Sequence, residues 1–318
     1  EGGFYGCSAL ETIVLGEGFD FVASDAVNGC LSFAGYELED GCDKFTVSGG
    51  VLFVGGAAQL PAAWGGEDLA VPEGIADVRL YKDARVVKAE FRSVVLGQGV
   101  QSIRTEGVRF ERYEVAAENP HLTAEDGLLF NKDMSNLIAW PAGKSATFYT
   151  LPESVASIAA YAFYGAEVLG IEGPGVVTVG EYAFADSALE NAVFGDSLRT
   201  VGNHAFDDAR HLQSIELGEG LLSVGDRAFQ DASALQSVAL PFGLEEIGDY
   251  AFLDSGLTEI VFPSASVSIG NGAFSGTEIA SVILPEGMTQ VHESLFSGAE
   301  ILTHVELPST LESIGSYA

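Results

Sequence analysis

The residues able to do chemistry are few, and their spacing does not bring them together. Five histidines, His121, His204, His211, His292 and His304, never fall in HExxH or another helical ligand pair, so metal-assisted hydrolysis has no anchor. Cys7, Cys30 and Cys42 lack the clustered spacing of a zinc site or a disulfide scaffold. Gly16-Glu-Gly18, Gly97-Gln-Gly99 and Gly218-Glu-Gly220 each supply half of a dinucleotide fingerprint. None has the third glycine, the following helix or the βαβ unit that would cradle a pyrophosphate. Asp40 with Asp43, and Glu125 with Asp126, are too few oxygens for calcium and read as solvated turn carboxylates. No GxSxG elbow, P-loop or EF-hand loop is present. The sequence therefore assigns no catalytic residue, no metal and no cofactor, and an enzyme ranks last among the function classes.

Charge excludes further classes. The 318 residues include 46 acidic and 14 basic side chains, a net charge of −32. Such an excess repels phosphate backbones and anionic headgroups, which argues against nucleic-acid binding and electrostatic membrane docking. With 47% hydrophobic and only 19% charged residues the chain can build a large core, unlike an acidic disordered segment. Gly, Pro, Asp or Glu interrupts every apolar run before the roughly 18 residues a membrane span needs. The opening EGGFYGC shows no signal peptide.

A repeat organises what remains. Phe163, Phe184, Phe206, Phe229, Phe252, Phe274 and Phe296 recur at spacings of 21 to 23 residues, six of them preceded by Ala and the last by Leu295. Five residues before each Phe stands Ile158, Val179, Val201, Val224, Ile247, Ile269 or Val291, followed in five coils by glycine (Gly180, Gly202, Gly225, Gly248, Gly270). Three residues after each Phe stands a small residue: Ala166, Ser187, Ala209, Ala232, Ser255, Thr277 or Ala299. An L-x-x-I-x-L pattern follows, as in Leu212-Gln-Ser-Ile215-Glu-Leu217, and a turn such as Leu284-Pro285-Glu-Gly287 closes the coil.

This period with this strand is the leucine-rich-repeat signature. One coil cannot bury its apolar edge alone, but stacked coils bond strand to strand at about 4.8 Å and share a core. The expected fold is a leucine-rich-repeat solenoid of mainly parallel β coils with short helical turns, interrupted by β-hairpin inserts. The phenylalanines should form an internal ladder, the small residues a crowded turn, and the glycines a backbone angle that other residues resist. Strand alternation turns Asn191, Val193, Ser214, Glu216, Ser237, Ala239, Glu259, Val261, Ser281, Ile283, His304 and Glu306 outward. Of these Ser214, Glu216, Glu259, Ser281, His304 and Glu306 are the candidate ligand-facing residues, with His304 the histidine best placed to meet a ligand. The row holds no Tyr, Trp or Arg, the types enriched in binding hot spots.

The phase returns at the N-terminus, where Phe4 and Val27 are 23 residues apart and Leu10-Glu-Thr-Ile13-Val-Leu15 repeats the strand. Cys7 and Cys30 fill the small-residue slot of adjacent coils, so a disulfide is geometrically conceivable; a pair of buried free thiols is the better reading. Three regions follow: N-terminal coils over 1–44; an irregular region over 45–150 with hairpin inserts and one coil near 91–110; and a regular solenoid over 151–318 that stops mid-repeat. The inserts pair Phe45-Thr-Val47 with Gly50-Val51-Leu52-Phe53, and Tyr113-Glu-Val115 with Asp126-Gly127-Leu128-Leu129-Phe130, as small β-hairpins. Asn131-Lys132-Asp133-Met134-Ser135-Asn136 is a turn between strands. Both chain ends fall inside a coil, which reads as a fragment of a longer protein.

The segments 151–166 (LPESVASIAAYAFYGA), 240–255 (LPFGLEEIGDYAFLDS) and 119–144 resemble the BspA-like leucine-rich-repeat proteins, a family of bacterial surface proteins with relatives in some protists. The resemblance covers most of the chain and implies export to the cell surface or secretion. It also implies adhesion to, or recognition of, a protein or glycan on a host or neighbouring cell. The alternative is a structural spacer that projects another domain from the cell envelope. No family motif assigns binding residues here.

Overall fold

The computed structural model describes residues 3–17, 22, 26–27, 30–40, 42, 45–54, 56–59, 68–81, 90–106, 108–264 and 266–318; Gly18 and Asp43, singled out above, lie outside them. Two compact units divide the chain, one running to Lys132 and taking in Pro141–Gly143, the other comprising Asp133–Trp140 and Lys144–Ala318.

The second unit is a parallel β-solenoid. Its continuous ladder is built from two-residue strands, Ser157–Ile158, Thr178–Val179, Thr200–Val201, Ser223–Val224, Glu246–Ile247 and Ser268–Ile269, each in register with its equivalent one coil on. The β-branched member is buried every time, which is the strand alternation expected from sequence. A second backbone ladder runs through the Phe turns. Phe163 N donates to Ala183 O, Phe184 N to Ala205 O, Phe206 N to Ala228 O and Phe229 N to Ala251 O, each at 2.7 Å. Between the ladders the rings stack: Phe184, Phe206, Phe229, Phe252 and Phe274 follow one another at 5.0 to 5.4 Å and within 5° of parallel. Trp140, 5.3 Å from Phe163, begins the column.

Two expectations are corrected by these turns. Among the described residues there is no helix. In place of short helical turns, the residues two before and two after each Phe adopt left-handed backbone: Tyr161, Tyr182, His204, Arg227, Tyr250, Gly272 and Ser294 before, and Gly165, Asp186, Asp208, Asp231, Asp254, Gly276 and Gly298 after. Alternate N–H groups consequently leave the local turn and bond along the stack, as Tyr161, Phe163 and Gly165 do to Glu181, Ala183 and Ala185. A helix would keep those donors for itself. Gly and Asp are the residues that tolerate this hand best, which explains the position two after Phe.

The repeated glycine has a different reason from the one expected. Gly180, Gly202, Gly225, Gly248 and Gly270 do not have positive φ. A β-carbon on any of them would lie within 2.9 Å of the backbone of the coil before. Glycine is needed there for close approach, not for hand.

The small-residue slot is confirmed as crowded, with Ala166, Ser187, Ala209, Ala232, Ser255 and Thr277 all buried. Ser187 Oγ and Thr277 Oγ1 donate to Phe184 O and Phe274 O at 2.7 and 2.8 Å. Ser255 Oγ is buried with no hydrogen-bond partner. Replacing Ser255 by Ala is therefore expected to stabilise the chain by about 1 kcal/mol, and replacing Ser187 by Ala to destabilise it by about as much. Equal shifts of the two denaturation midpoints would sink this account.

The first unit mixes coils with hairpins. Thr12–Leu15 pairs in parallel with Gly35–Leu38, and Glu90–Leu96 lies between Asp68–Ala70 and Arg109–Val115, again in parallel. Burial, with the Cys30 thiol adding to it, pushes the Tyr36 phenol up to about 12. Thr46–Ser48 and Val51–Val54 form the expected antiparallel hairpin across Gly49 and Gly50, both at positive φ as such a turn requires. The second insert differs from expectation. Leu122–Glu125, not Tyr113–Val115, pairs with Leu128–Asn131 around Asp126 and Gly127. Tyr113 belongs to the parallel sheet instead, its buried ring edge-on to Phe110 at 4.8 Å.

Cys7 and Cys30 are unpaired, and Cys7 is exposed rather than buried. The Cys30 thiol donates to Phe4 O at 2.9 Å.

Candidate functional site

The outward strand row is placed as alternation demands. Ser214, Glu216, Glu259, Ser281, His304 and Glu306 are all exposed. The structure gathers them into two groups. Ser214 and Glu216 sit beside Asn191 and Val193, with Ser214 Oγ donating to Asn191 Oδ1 at 2.7 Å. Ser281 sits beside His304, and Ile283 beside Glu306. Glu259 lies between the groups, in a stretch without strand pairing. None of the described residues forms a group of three or more His, Cys, Asp or Glu able to hold a metal ion.

A different row brings planar side chains of successive coils together. The left-handed position two before Phe projects Tyr161, Tyr182, His204, Arg227 and Tyr250 from successive coils. Coil spacing is close to the thickness of stacked rings, so planar groups in one repeat position meet face to face. Tyr161 and Tyr182 stack at 5.1 Å, Tyr182 and the His204 ring at 4.4 Å, both 11° from parallel. Tyr164 leans on Tyr161 at 5.9 Å, and the Arg227 guanidinium lies 4.9 Å over the Tyr250 ring. Tyr161 is 53% exposed and Tyr164 45%. These contacts also offset the cost of left-handed backbone at non-glycine residues, about 1 kcal/mol or more each.

Charge borders the row. Asp186, Asp208, Asp231 and Asp254 occupy the matching position on the other side of each Phe. Arg210 pairs with Asp208 at 2.7 Å, and His204 Nδ1 meets Asp207 Oδ2 at 2.8 Å. Burial holds the Asp207 carboxyl above its ordinary range, against the opposing pull of the His204 hydrogen bond.

His204 is thus packed into the row, its ring stacked on Tyr182 and its Nδ1 against Asp207. The row was legible in principle: aligned on Phe, the position two before it reads Tyr, Tyr, His, Arg, Tyr in consecutive coils. Its stacked geometry was not, because nothing in one coil says that the position faces its own copy.

The BspA type leucine-rich repeat model matches residues 142–256 and 245–318, in six copies. The chain belongs to this family. BspA-type repeats thus account for the regular coils, and the anchor Phe, the β-branched strand residue and the small slot are their buried positions. Among solved structures, a leucine-rich repeat protein from Eubacterium ventriosum is similar at 21% identity and a TM-score of 0.54, over 87% of this chain and 79% of that one. A leucine rich cell surface protein from Faecalibacterium prausnitzii is similar at 17% identity and a TM-score of 0.48, over 93% and 79%. The T. pallidum leucine rich repeat protein is similar at 28% identity and a TM-score of 0.45, over 59% and 82%. No curated protein matches the chain. No helix of the described residues is long and apolar enough to cross a membrane.

Proposed function

We propose that this BspA-type chain is a non-enzymatic recognition or adhesion module of a bacterial surface or secreted protein, and that it binds a protein or glycan of a host or neighbouring cell through the aromatic row. The observation that carries this reading is the stacked column in which exposed Tyr161 and Tyr164 adjoin the half-buried Tyr182 and His204. Tyrosine contributes rigid amphipathic area at low entropic cost and is enriched in hot spots, and a pre-stacked column has already given up its side-chain freedom. The neighbouring aspartates favour neutral or cationic partners over phosphate-rich ones, which leaves nucleic acid outside the proposal. Family membership supports placement at the cell surface.

Binding is to be measured with the purified chain against arrayed matrix proteins and glycans. For whichever partner saturates, changing Tyr161, Tyr164 and Tyr182 together to Ser is expected to weaken affinity at least about 30-fold, the equivalent of one hot spot or more. The denaturation midpoint should fall by no more than about 10 °C, for the lost stacking, with the chain still folded by circular dichroism. Saturable binding that the triple change leaves intact would move the site elsewhere; no saturable binding to any partner would favour the spacer.

A further inference from the structure

The continuous ladder of short strands stops after Ser268–Ile269 and resumes only as the pair Gln290–Val291 with Ser313–Ile314. At every junction from Ser157–Ile158 to Ser268–Ile269 the residue after the strand donates its N–H to the preceding strand, as Gly248 does to Val224 and Gly270 to Ile247 at 2.8 and 2.7 Å. Gly315 does the same to Val291 at 2.8 Å. The bonds that would join the two blocks, from Gln290 N to Val267 O and from His292 N to Ile269 O, are absent. A cavity of about 210 Å³ opens between them, lined by Val267, Ile269, Met288, Gln290, His292 and Leu295 among others.

We propose that this junction is an open joint, wedged apart by the β-carbon of His292, about which the coils from Gly287 onward move against those before them. His292 stands where the preceding five coils and the last one have glycine. At those glycines a β-carbon would lie within 2.9 Å of the backbone of the turn beneath, so where one such turn stacks on another the coils close to bonding distance when it is missing. His292 has it, and the ladder fails at His292. The opening is one-sided. Across the Phe turns the bonds persist, Gly272 N to Glu293 O, Phe274 N to Leu295 O and Gly276 N to Ser297 O, at 2.8 to 3.0 Å. The Phe274 and Phe296 rings are accordingly 5.9 Å apart and tilted by 19°, whereas Phe252 and Phe274 lie within 5° of parallel. Bonds also persist between Ser281–Ile283 and His304–Glu306, so a gap on the third side alone makes a hinge about the two bonded sides. Ala159, in the same repeat position, does not open its junction: its partner Asn136–Ala139 continues as a four-residue strand, so no turn lies beneath the methyl group.

Residue-resolved hydrogen exchange on the intact chain tests the joint. In the wild type the Gln290 and His292 amides should exchange at least about tenfold faster than those of Ser268 and Gly270, which are bonded across the previous junction. Comparable protection at the two junctions would overturn the proposal without any variant being made. His292→Gly should slow both amides to the Ser268 and Gly270 rates. His292→Ala should leave them fast, because alanine keeps the β-carbon. Equal protection in the two variants would make the imidazole, not the β-carbon, the wedge, and would overturn the mechanism.

Discussion

Phe229→Ala lowers the stability of the solenoid unit by about 3 to 5 kcal/mol, the upper range for losing a buried aromatic. The ring is fully buried, 5.1 Å from Phe206 on one side and 5.1 Å from Phe252 on the other. Most cores recover some of such a loss by collapsing into the void. Here the neighbouring coils are held at fixed spacing by two backbone ladders, one through Ser223–Val224 and one through the Phe229 N to Ala251 O bond, so the void stays open. Because stability in a stacked array is a sum over nearest neighbours, the loss falls on two interfaces at once. Denaturant unfolding followed by circular dichroism is expected to show a lower midpoint and a shallower transition as the coils on either side uncouple. A loss under about 1 kcal/mol with an unchanged slope would mean that the coils do collapse and that the ladders are not rigid spacers.

Asn119→Ala is expected to destabilise the first unit by about 3 kcal/mol, because one buried side chain satisfies four backbone groups, two of them in fully buried bonds. Asn119 is fully buried. Its Nδ2 donates to Gly97 O and Val100 O at 2.8 and 2.9 Å, and its Oδ1 accepts from His121 N and Leu122 N at 2.8 and 2.9 Å. Alanine removes all four bonds and leaves their partners to be desolvated unpaired. Asn119→Asp keeps the acceptor and turns the donor end into a carboxylate facing two carbonyl oxygens, so it should be no better tolerated. Hydrogen exchange separates this from a general loss of packing. The His121 and Leu122 amides should lose protection first, and retention of their wild-type rates in Asn119→Ala would contradict the clamp.

How far the sequence could be read is clear from individual positions. The buried β-branched strand residues, the Phe column from Phe163 to Phe296 and the small slot from Ala166 to Thr277 lie where local alternation and a repeated volume put them, whereas Cys7, read into the same slot, is exposed. The Gly49-Gly50 hairpin was legible because its left-handed turn is written in two adjacent residues. Asn119 was not legible, because its four partners are spread over residues 97 to 122 and no spacing marks them. The pairing of Tyr113–Val115 was missed for a similar reason: an aromatic-x-Val strand satisfies a hairpin and a parallel sheet equally well, and only the neighbour at Glu90–Leu96 decides.

By itself the sequence determined the architecture: a period near 22 residues, agreed in phase across seven coils, leaves stacking as the way to bury each apolar edge. What one coil presents to the next was decided only in three dimensions. The repeated glycine proved to serve close approach rather than hand, the Tyr161, Tyr182 and His204 rings proved to stack, and the strand ladder proved to break at His292. The physical reason is common to all three. Periodicity reports the direction in which a side chain leaves its own backbone, whereas these contacts depend on the few ångströms separating that side chain from the backbone of another coil.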